Sequence, residues 1–310
     1  MGAHRAAKKQ NRERRSRPPK WRARIGFALS MVFLSLRSTI AWAQPPIVPL
    51  TFCGTISKSA VYEVDALLTS PAGDCLIIRA PNVTVNLNRQ IITGQGSGAS
   101  VQVLASGANA FIEGDDATIS GFSVGIQIDA TTVLAENFSA VNNNLAGVYL
   151  KGAKLAKVSN FNSDSNWDGV RVAQGTGNTL QSFGAYRNNH YGVWLLGTNH
   201  NSVGGFDLLD NAIAGIYAGC WNIGPQNAPC KPAVAPSSYN IILGGYARGG
   251  NGGEEYGIAI DLGNNNNRVT STYGSGNIQF DFLDENEACG NNLWFAQIRI
   301  DTASPSNYIR

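Results

Sequence analysis

The sequence predicts an all-β protein: a single-stranded, right-handed parallel β-helix (solenoid) of about 9–10 coils, with 22–23 residues per coil. Two markers recur at this period: phenylalanines 23, 22 and 23 residues apart, and Gly-Val or Gly-Ile pairs 22, 23 and 23 residues apart. The phenylalanines are Phe138, Phe161, Phe183 and Phe206; the glycines are Gly147, Gly169, Gly192 and Gly215, preceded closely by Asn144, Asn166, Asn189 and Asn211. A constant period with glycine and asparagine corners is typical of stacked coils.

Each repeat contains a short segment with the periodicity of a strand. In residues 147–151, Val148 and Leu150 point to one side while Tyr149 and Lys151 point to the other, and five residues are too few for a helix. Leucine-rich repeats have coils of similar length, but they need spaced leucines and a helical return, which glycine and asparagine interrupt here. The 35 glycines and the low content of charged residues, 15%, also suit an elongated β domain.

Residues 1–43 have the layout of a bacterial secretory signal peptide. Residues 1–24 carry ten Lys or Arg and a single acid, an apolar run follows over 25–36, and Ala41-Trp42-Ala43 is a small-x-small cleavage site. The apolar run is short for a bilayer span. We therefore expect cleavage, no stable membrane insertion afterwards, and a secreted or periplasmic protein; an uncleaved anchor is the alternative, and the export route stays open.

Removal of this segment reverses the charge of the chain. Eleven of the 24 basic residues and one of the 21 acids lie in it, which leaves 13 basic and 20 acidic residues and a net charge near −7. An acidic surface argues against nucleic acid as a partner. The negative charge would not favour binding of a polyanionic sugar unless a cation bridged the sugar and the protein. We expect a monomer.

The five cysteines predict two disulfides in an exported protein. Neighbours in sequence pair as Cys53–Cys75, which closes the first coil, and Cys220–Cys230, which closes a loop. Cys289 is left over, either as a free thiol or as an intermolecular link.

The opening coils resemble those of the pectin-lyase-like, right-handed β-helix proteins, including the periplasmic NosD-like group. The segments that carry the resemblance are Tyr62-Glu63-Val64, Leu76-Ile77-Ile78, Val83-Thr84-Val85 and Ile91-Ile92-Thr93. The resemblance extends over roughly residues 53–295 and implies the fold rather than one activity, since this scaffold supports many chemistries.

The predicted organisation after the signal peptide has three parts. Residues 44–75 form an N-terminal leader with the first coil and cap, 76–285 form the β-helix, and 286–310 form a C-terminal coil and cap. A proline-rich loop at about 219–239 interrupts the β-helix, because the spacing between Gly215 and Gly257 is 42 residues rather than 22 or 23.

Positions two residues after the repeat glycines predict one outward column of side chains. Its members are Tyr149, Arg171, Trp194 and Tyr217, flanked near the corner by Trp167, Asp168, His190 and Tyr191. A row of exposed aromatic rings suits the apolar faces of sugars, and the charged groups suit hydroxyls or carboxylates. The alternative is structural, since aromatic side chains also stabilise strands by stacking between coils.

Two sets of residues are candidates for catalysis. His190 beside Asp168 is a candidate base. Asp164, Arg187 and Asp210 lie on successive coils, so the two carboxylates would be about 9–10 Å apart, near the upper limit for an inverting glycosidase. Arg187 lies between these two carboxylates, where it would lower both pKa values, although a general acid needs a raised pKa. An Asp–Arg–Asp surface ladder is the alternative for the second set.

Known enzyme and metal motifs of this fold do not appear in order. Asp115-Asp116 stands without the companion signatures of polygalacturonases, and the motifs of alginate epimerases and pectate lyases are missing from the sequence. Asp115-Asp116 and the acidic segment 284–287 offer oxygen ligands for Ca²⁺, but neither lies in a specific calcium motif. We therefore predict no metal site and no cofactor, with Ca²⁺ binding as the alternative that stays open.

The sequence thus favours an exported β-helix protein that binds polysaccharide through the outward aromatic column. The first alternative is a carbohydrate-active enzyme, a polysaccharide lyase or glycoside hydrolase, on the same face. The second is a structural or adhesive cell-surface rod without a small ligand.

Overall fold

The computed structural model describes residues 46–220, 235–249, 254–286, 291–299 and 308–309. Within these ranges every regular element is a β-strand, and the strands belong to one compact unit, Gln44–Arg310. A helix with the length and apolarity needed to cross a bilayer does not occur in the described ranges.

The strands form two long parallel sheets. The first sheet contains β1 (Ile47–Leu50), β3 (Val61–Val64), β4 (Leu68–Thr69), β6 (Thr84–Asn86), β7 (Ile91–Thr93), β9 (Phe111–Ser120), β11 (Leu134–Val141), β13 (Lys157–Asp164), β15 (Thr179–Tyr186), β17 (Ser202–Leu209), β19 (Ile241–Arg248), β21 (Arg268–Ser275), β23 (Leu293–Phe295) and β24 (Ile298–Arg299). The second sheet contains β2 (Gly54–Ile56), β5 (Leu76–Ile78), β8 (Ala99–Val103), β10 (Val124–Ile128), β12 (Ala146–Lys151), β14 (Asp168–Ala173), β16 (Tyr191–Leu196), β18 (Ala214–Ala218), β20 (Tyr256–Ile260), β22 (Phe280–Asp284) and β25 (Tyr308–Ile309).

The chain alternates between the two sheets and so winds into a β-solenoid of about ten turns, as predicted. The glycine-linked positions stack in the predicted register, with Val148 opposite Val170, Val170 opposite Val193, and Val193 opposite Ile216. Ile216 then lies directly opposite Ile258. The spacing of 42 residues therefore separates positions that are one turn apart. The loop at about 219–239 stays a prediction, because residues 221–234 lie outside the described ranges.

The predicted phenylalanine ladder lies in the core. Its rings, Phe138, Phe161, Phe183 and Phe206, are nearly fully buried, with successive centroids 5.4, 5.0 and 6.3 Å apart. The ladder ends at Gly245, which is opposite Phe206. A Cβ at this glycine would lie 2.4 Å from the Phe206 ring.

The long strands of the first sheet bend just before the phenylalanine ladder. The residues at the bend have positive φ: Asn137, Asn160, Ser182, Gly205, Gly244 and Ser271. Asparagine and glycine tolerate this left-handed conformation best, and a single residue of this kind within a strand turns its direction. The bend gives the outer face of the first sheet a recess.

Two ladders of buried polar side chains cross the turns beside the apolar core. The first consists of Asn143, Asn166, Asn188, Asn211 and Glu254, and the second of Asn178, Asn201, Asn240, Asn267 and Asn292. In both, a side-chain amide donates to an oxygen on the next turn at 2.8–3.3 Å. Asn143 and Asn188, not the neighbouring Asn144 and Asn189 of the sequence pattern, are the buried rungs.

The disulfide between Cys53 and Cys75 is present, as predicted. Cys220 is also disulfide-bonded, but Cys230 and Cys289 lie outside the described residues, so the pairing of Cys220 with Cys230 stays a prediction. The predicted signal peptide, residues 1–43, is likewise outside them.

Candidate functional site

The predicted outward column exists as a register, but half of it is not exposed. Tyr149, Arg171, Trp194 and Tyr217 lie opposite one another on successive strands. Trp194 is 1% exposed and Tyr217 is fully buried, so the expectation of an open aromatic wall is wrong for these two residues. Strand alternation gives the direction of a side chain relative to the core, and it carries no information on other chain segments that cover the outer face.

The buried part of the column belongs to a second apolar cluster outside the main core. Its members are Tyr191, Trp194, Ala214, Tyr217, Tyr256, Ala259 and Leu283. Trp194 Nε1 donates to the Gly219 carbonyl at 3.0 Å, and the Tyr217 hydroxyl donates to Asp261 Oδ2 at 2.8 Å. Burial raises the pKa of the Tyr191 and Tyr217 hydroxyls. In this cluster the aromatic rings stabilise the fold, and Tyr191 and Tyr217, whose ring centroids are 4.7 Å apart, are not available as ligand contacts.

The corner beside this cluster brings three predicted site residues together. Asp168 is fully buried; its Oδ2 accepts from Arg171 Nε at 2.8 Å, and its Oδ1 lies 2.9 Å from His190 Nδ1. The Arg171 guanidinium also lies 4.5 Å from the Trp194 ring and 5.7 Å from the Tyr149 ring. The positive charge of Arg171 neutralises the negative charge of Asp168, and the guanidinium is held between two aromatic rings. Both contacts favour a rigid arrangement of these side chains.

Trp167 forms the open edge of this corner. Its side chain is 46% exposed, and its ring is stacked on His190 with centroids 5.4 Å apart. The predicted neighbours Trp167, Asp168 and His190 therefore do lie together.

The second predicted catalytic set does not form a single column. Asp164 is opposite Tyr186, whereas Arg187 and Asp210 lie one position further along, in turns with φ of 48° and 57°. Asp164, Arg187 and Asp210 therefore lie on successive coils, and Asp164 is offset from the other two by one residue. Arg187 still pairs with Asp164, and its side chain is 64% exposed, as expected for a surface ion pair.

A groove of about 660 Å³ opens on the outer face of the first sheet, at the bend. Its lining includes four glycines, Gly184, Gly205, Gly244 and Gly245, and the edges of three rings of the phenylalanine ladder, Phe161, Phe183 and Phe206. Tyrosines and one ion pair form its walls: Tyr186, Tyr246, Tyr273, Asp207 and Arg248. Gly205 is exposed, whereas Gly184 is covered by the Tyr186 ring and Gly245 by the Phe206 ring. A glycine leaves the backbone accessible to a ligand only where no neighbouring side chain covers it.

The walls of the groove combine stacked rings with a charged pair. Tyr246 and Tyr273 are adjacent in register and stacked, with centroids 4.9 Å apart, and Tyr246 is 43% exposed. Arg248 Nη2 lies 2.6 Å from Asp207 Oδ1, and its guanidinium lies 5.6 Å from the Tyr246 ring. Burial, followed by the Asp207 charge, raises the pKa of the Tyr186 hydroxyl.

Sequence reasoning did not identify the groove. Asp207 follows the last phenylalanine of the ladder, but the next strands have Gly245 and Thr272 at the ladder position. The repeated phenylalanine, which indicates the register in the sequence, is therefore missing from the two strands that contain Tyr246 and Tyr273. Alignment of 241–248 with 202–209 by their shared apolar positions would have placed Tyr246 beside Asp207.

Within the described ranges, no three His, Cys, Asp or Glu side chains lie close enough together to hold a metal ion. Asp115, considered above for Ca²⁺, pairs with Arg89 at 3.2 Å. Asp284 is fully buried, and its carboxylate accepts from Asn292 and from Trp294 Nε1.

No protein-family model matches the chain, and no curated protein sequence matches it. Among solved structures, the Dettilon tailspike protein is similar with a TM-score of 0.54 and 14% identity, covering 80% of this chain and 60% of that one. The enzymatically active domain of tailspike protein 2 of bacteriophage CBA120 is similar with a TM-score of 0.53 and 12% identity, covering 84% of this chain and 42% of that one. An alginate lyase from a Paenibacillus species has a TM-score of 0.44 and 13% identity, covering 80% of this chain and 97% of that one.

These similarities show the fold. The two tailspike structures share the parallel β-solenoid, which confirms at the level of the fold the resemblance to β-helix proteins. This chain spans less than two thirds of the length of either tailspike chain. The score of the lyase is too low to add an argument.

Proposed function

We propose that this protein binds a polysaccharide in the groove on the first sheet. The observation that carries the proposal is the stacked pair Tyr246–Tyr273, of which Tyr246 is exposed, beside the Asp207–Arg248 ion pair in the same groove. Tyrosine combines an apolar ring with a polar hydroxyl, and so matches a sugar ring that has C–H faces and hydroxyl edges. Carboxylate and guanidinium groups accept and donate hydrogen bonds to such hydroxyls.

The groove suits a chain-like ligand better than a single sugar. Its lining residues come from β13, β15, β17, β19 and β21, which are consecutive in the first sheet. Four strand spacings correspond to about 19 Å along the solenoid. A linear saccharide that runs along the solenoid axis would therefore contact several turns at once.

The balance of charge in the groove favours a neutral saccharide. Asp207 and Arg248 neutralise each other, and each side chain is 39% exposed. The chain that remains after signal cleavage is acidic, with 20 acids against 13 bases, which disfavours polyanions. An export signal would bring the protein to extracellular or periplasmic glycans, and the Cys53–Cys75 disulfide supports such an oxidising compartment.

The enzyme hypothesis remains a second candidate because of one contact. The 2.9 Å approach of His190 Nδ1 to Asp168 Oδ1 is the geometry of an oriented imidazole base. Release of unsaturated or reducing ends from a broad polysaccharide panel, abolished by Asp168→Asn, would support it. Absence of any product would count against it.

Affinity electrophoresis and calorimetry with a panel of neutral and acidic polysaccharides test the proposal. Tyr246→Ala should weaken binding of the ligand found in the panel by about tenfold or more, which corresponds to about 1.4 kcal/mol. Tyr239→Ala is the matched control, because Tyr239 is also exposed (53%) and stacks on His200 rather than lining the groove. Equal affinities for the two variants would contradict the groove as the site. Failure of every polysaccharide to bind would favour the structural rod.

A further inference from the structure

We propose that Trp167 and His190 form a second saccharide-binding site, on the second sheet, with Asp168 as its positioning residue. The ligand class rests on the proposed function, but the site does not involve the groove, whose lining residues belong to the first sheet or its bend. The ligand expected here is a sugar that stacks on the indole and donates a hydroxyl to the imidazole.

The hydrogen bond of Asp168 determines which nitrogen of His190 is available. A carboxylate only accepts hydrogen bonds, and the fully buried Asp168 carboxylate accepts from Arg171 Nε through its other oxygen, Oδ2. His190 Nδ1 must then carry the proton that it donates to Asp168 Oδ1, 2.9 Å away. In the neutral imidazole the lone pair is therefore on Nε2.

The Nε2 atom has no hydrogen-bond partner in the described part of the chain, and it is not fully buried. The His190 ring is hydrogen-bonded through Nδ1, to Asp168. The side chain as a whole is 16% exposed. This leaves one directed acceptor at the surface.

Trp167 supplies the apolar surface next to this acceptor. Its indole remains 46% exposed while its ring lies 5.4 Å from the imidazole with an angle of 28° between the planes. The backbone N–H of Trp167 donates to the Asn143 carbonyl at 3.2 Å, which fixes the start of β14. An exposed ring and a directed acceptor on one edge are the two elements that sugar recognition uses.

The support beneath the pair makes it preorganised. His190 packs on the buried Tyr191, with ring centroids 3.8 Å apart, and meets Trp194 edge-on at 5.7 Å. A rigid site loses little conformational freedom when a ligand binds, so few contacts are enough for measurable affinity.

The first test uses the polysaccharide that the groove experiment identifies. Trp167→Ala in the mature chain should weaken binding by about tenfold, while the control Tyr239→Ala leaves it unchanged. If Tyr246→Ala weakens binding and Trp167→Ala does not, this second site is excluded and the groove stands. If Trp167→Ala weakens binding and Tyr246→Ala does not, the second site stands and the groove is excluded.

The second test reports on His190 without any ligand. Nitrogen-15 NMR of the mature wild-type protein at pH 8 should show the His190 tautomer that is protonated on Nδ1, and addition of the saccharide should shift the Nε2 resonance. Only His190 and His200 remain after the predicted cleavage, so the spectrum is simple to assign by a His200→Gln variant. A tautomer protonated on Nε2, or an Nε2 resonance unchanged at saturation, would overturn the proposal.

Discussion

Replacement of Asn188 with alanine is expected to lower the free energy of unfolding by about 2–5 kcal/mol. The Oδ1 atom of Asn188 accepts from the backbone N–H of Asn166 at 2.9 Å, and its Nδ2 donates to Ser163 O and Asn211 Oδ1 at 3.2 and 2.8 Å. Alanine would leave the buried Asn166 N–H without an acceptor. Each buried polar group that loses its partner costs about 1–3 kcal/mol, and each lost hydrogen bond about 1 kcal/mol.

The neighbouring residue provides the control for this prediction. Asn189 is exposed, and its side chain takes no part in the ladder, so Asn189→Ala should change stability by about 0.5 kcal/mol or less. Urea denaturation of both variants, followed by circular dichroism, measures the difference. Equal destabilisation would mean that the ladder contributes nothing beyond the side chain's own packing.

The fold could be predicted because two independent series of residues, the phenylalanines and the glycines, recur with the same period of 22–23 residues. Phe161 and Gly169 each repeat one turn later at Phe183 and Gly192, and in a parallel solenoid a constant spacing translates directly into a pair of stacked residues. The same spacing also placed Tyr149, Arg171 and Trp194 in one column.

Exposure and the register of the turns could not be predicted in the same way. Whether the Trp194 side chain is exposed or buried depends on what covers the outer face of the second sheet. The repeat pattern gives only the positions of the strands, so it does not predict this cover. The choice between Asn188 and Asn189 as the buried rung depends on the backbone of a turn, where one residue of positive φ, Arg187, shifts the direction of the side chains that follow. The groove was missed for a related reason, because Gly245 interrupts the phenylalanine ladder that would have given its register.

Replacement of Glu254 with glutamine is expected to stabilise the protein at pH 8 and to leave its stability at pH 4 nearly unchanged. Glu254 is fully buried and takes the place of an asparagine in the first ladder, where its Oε1 accepts from Asn211 Nδ2 at 2.8 Å. The next rung is Asn277, because the N–H of Ile278 donates to the Glu254 carbonyl as the N–H of Asn189 donates to that of Asn166. Both Glu254 Oε2 and Asn277 Oδ1 are buried without a hydrogen-bond partner.

At the position of Glu254 the ladder requires a hydrogen-bond donor, and an ionised carboxylate cannot donate. Each asparagine rung accepts from one neighbour and donates to the next, whereas an ionised glutamate only accepts. A protonated Glu254 would supply the missing O–H toward Asn277. Burial raises the pKa of Glu254 well above its ordinary value of 4.5, in agreement with a neutral carboxyl group.

The sign of the pH dependence follows from this proton. Between the ordinary pKa and the raised pKa of the folded state, the folded protein retains a proton that the unfolded chain has lost, so the contribution of Glu254 to stability falls as pH rises. The loss is about 1.4 kcal/mol for each pH unit within this window. Glutamine keeps an acceptor for Asn211 and an N–H donor for Asn277 at every pH, so Glu254→Gln removes the loss.

Chemical denaturation at pH 4 to 8 measures this effect as the difference between variant and wild type. The difference should increase with pH for Glu254→Gln and stay flat for Glu255→Gln, which alters the adjacent, partly exposed carboxylate. Other carboxyl groups titrate in both proteins and cancel in the difference. A difference for Glu254→Gln that is constant from pH 4 to 8 would show that Glu254 has the same charge in the folded and unfolded states, and the proton in the ladder would have to be abandoned.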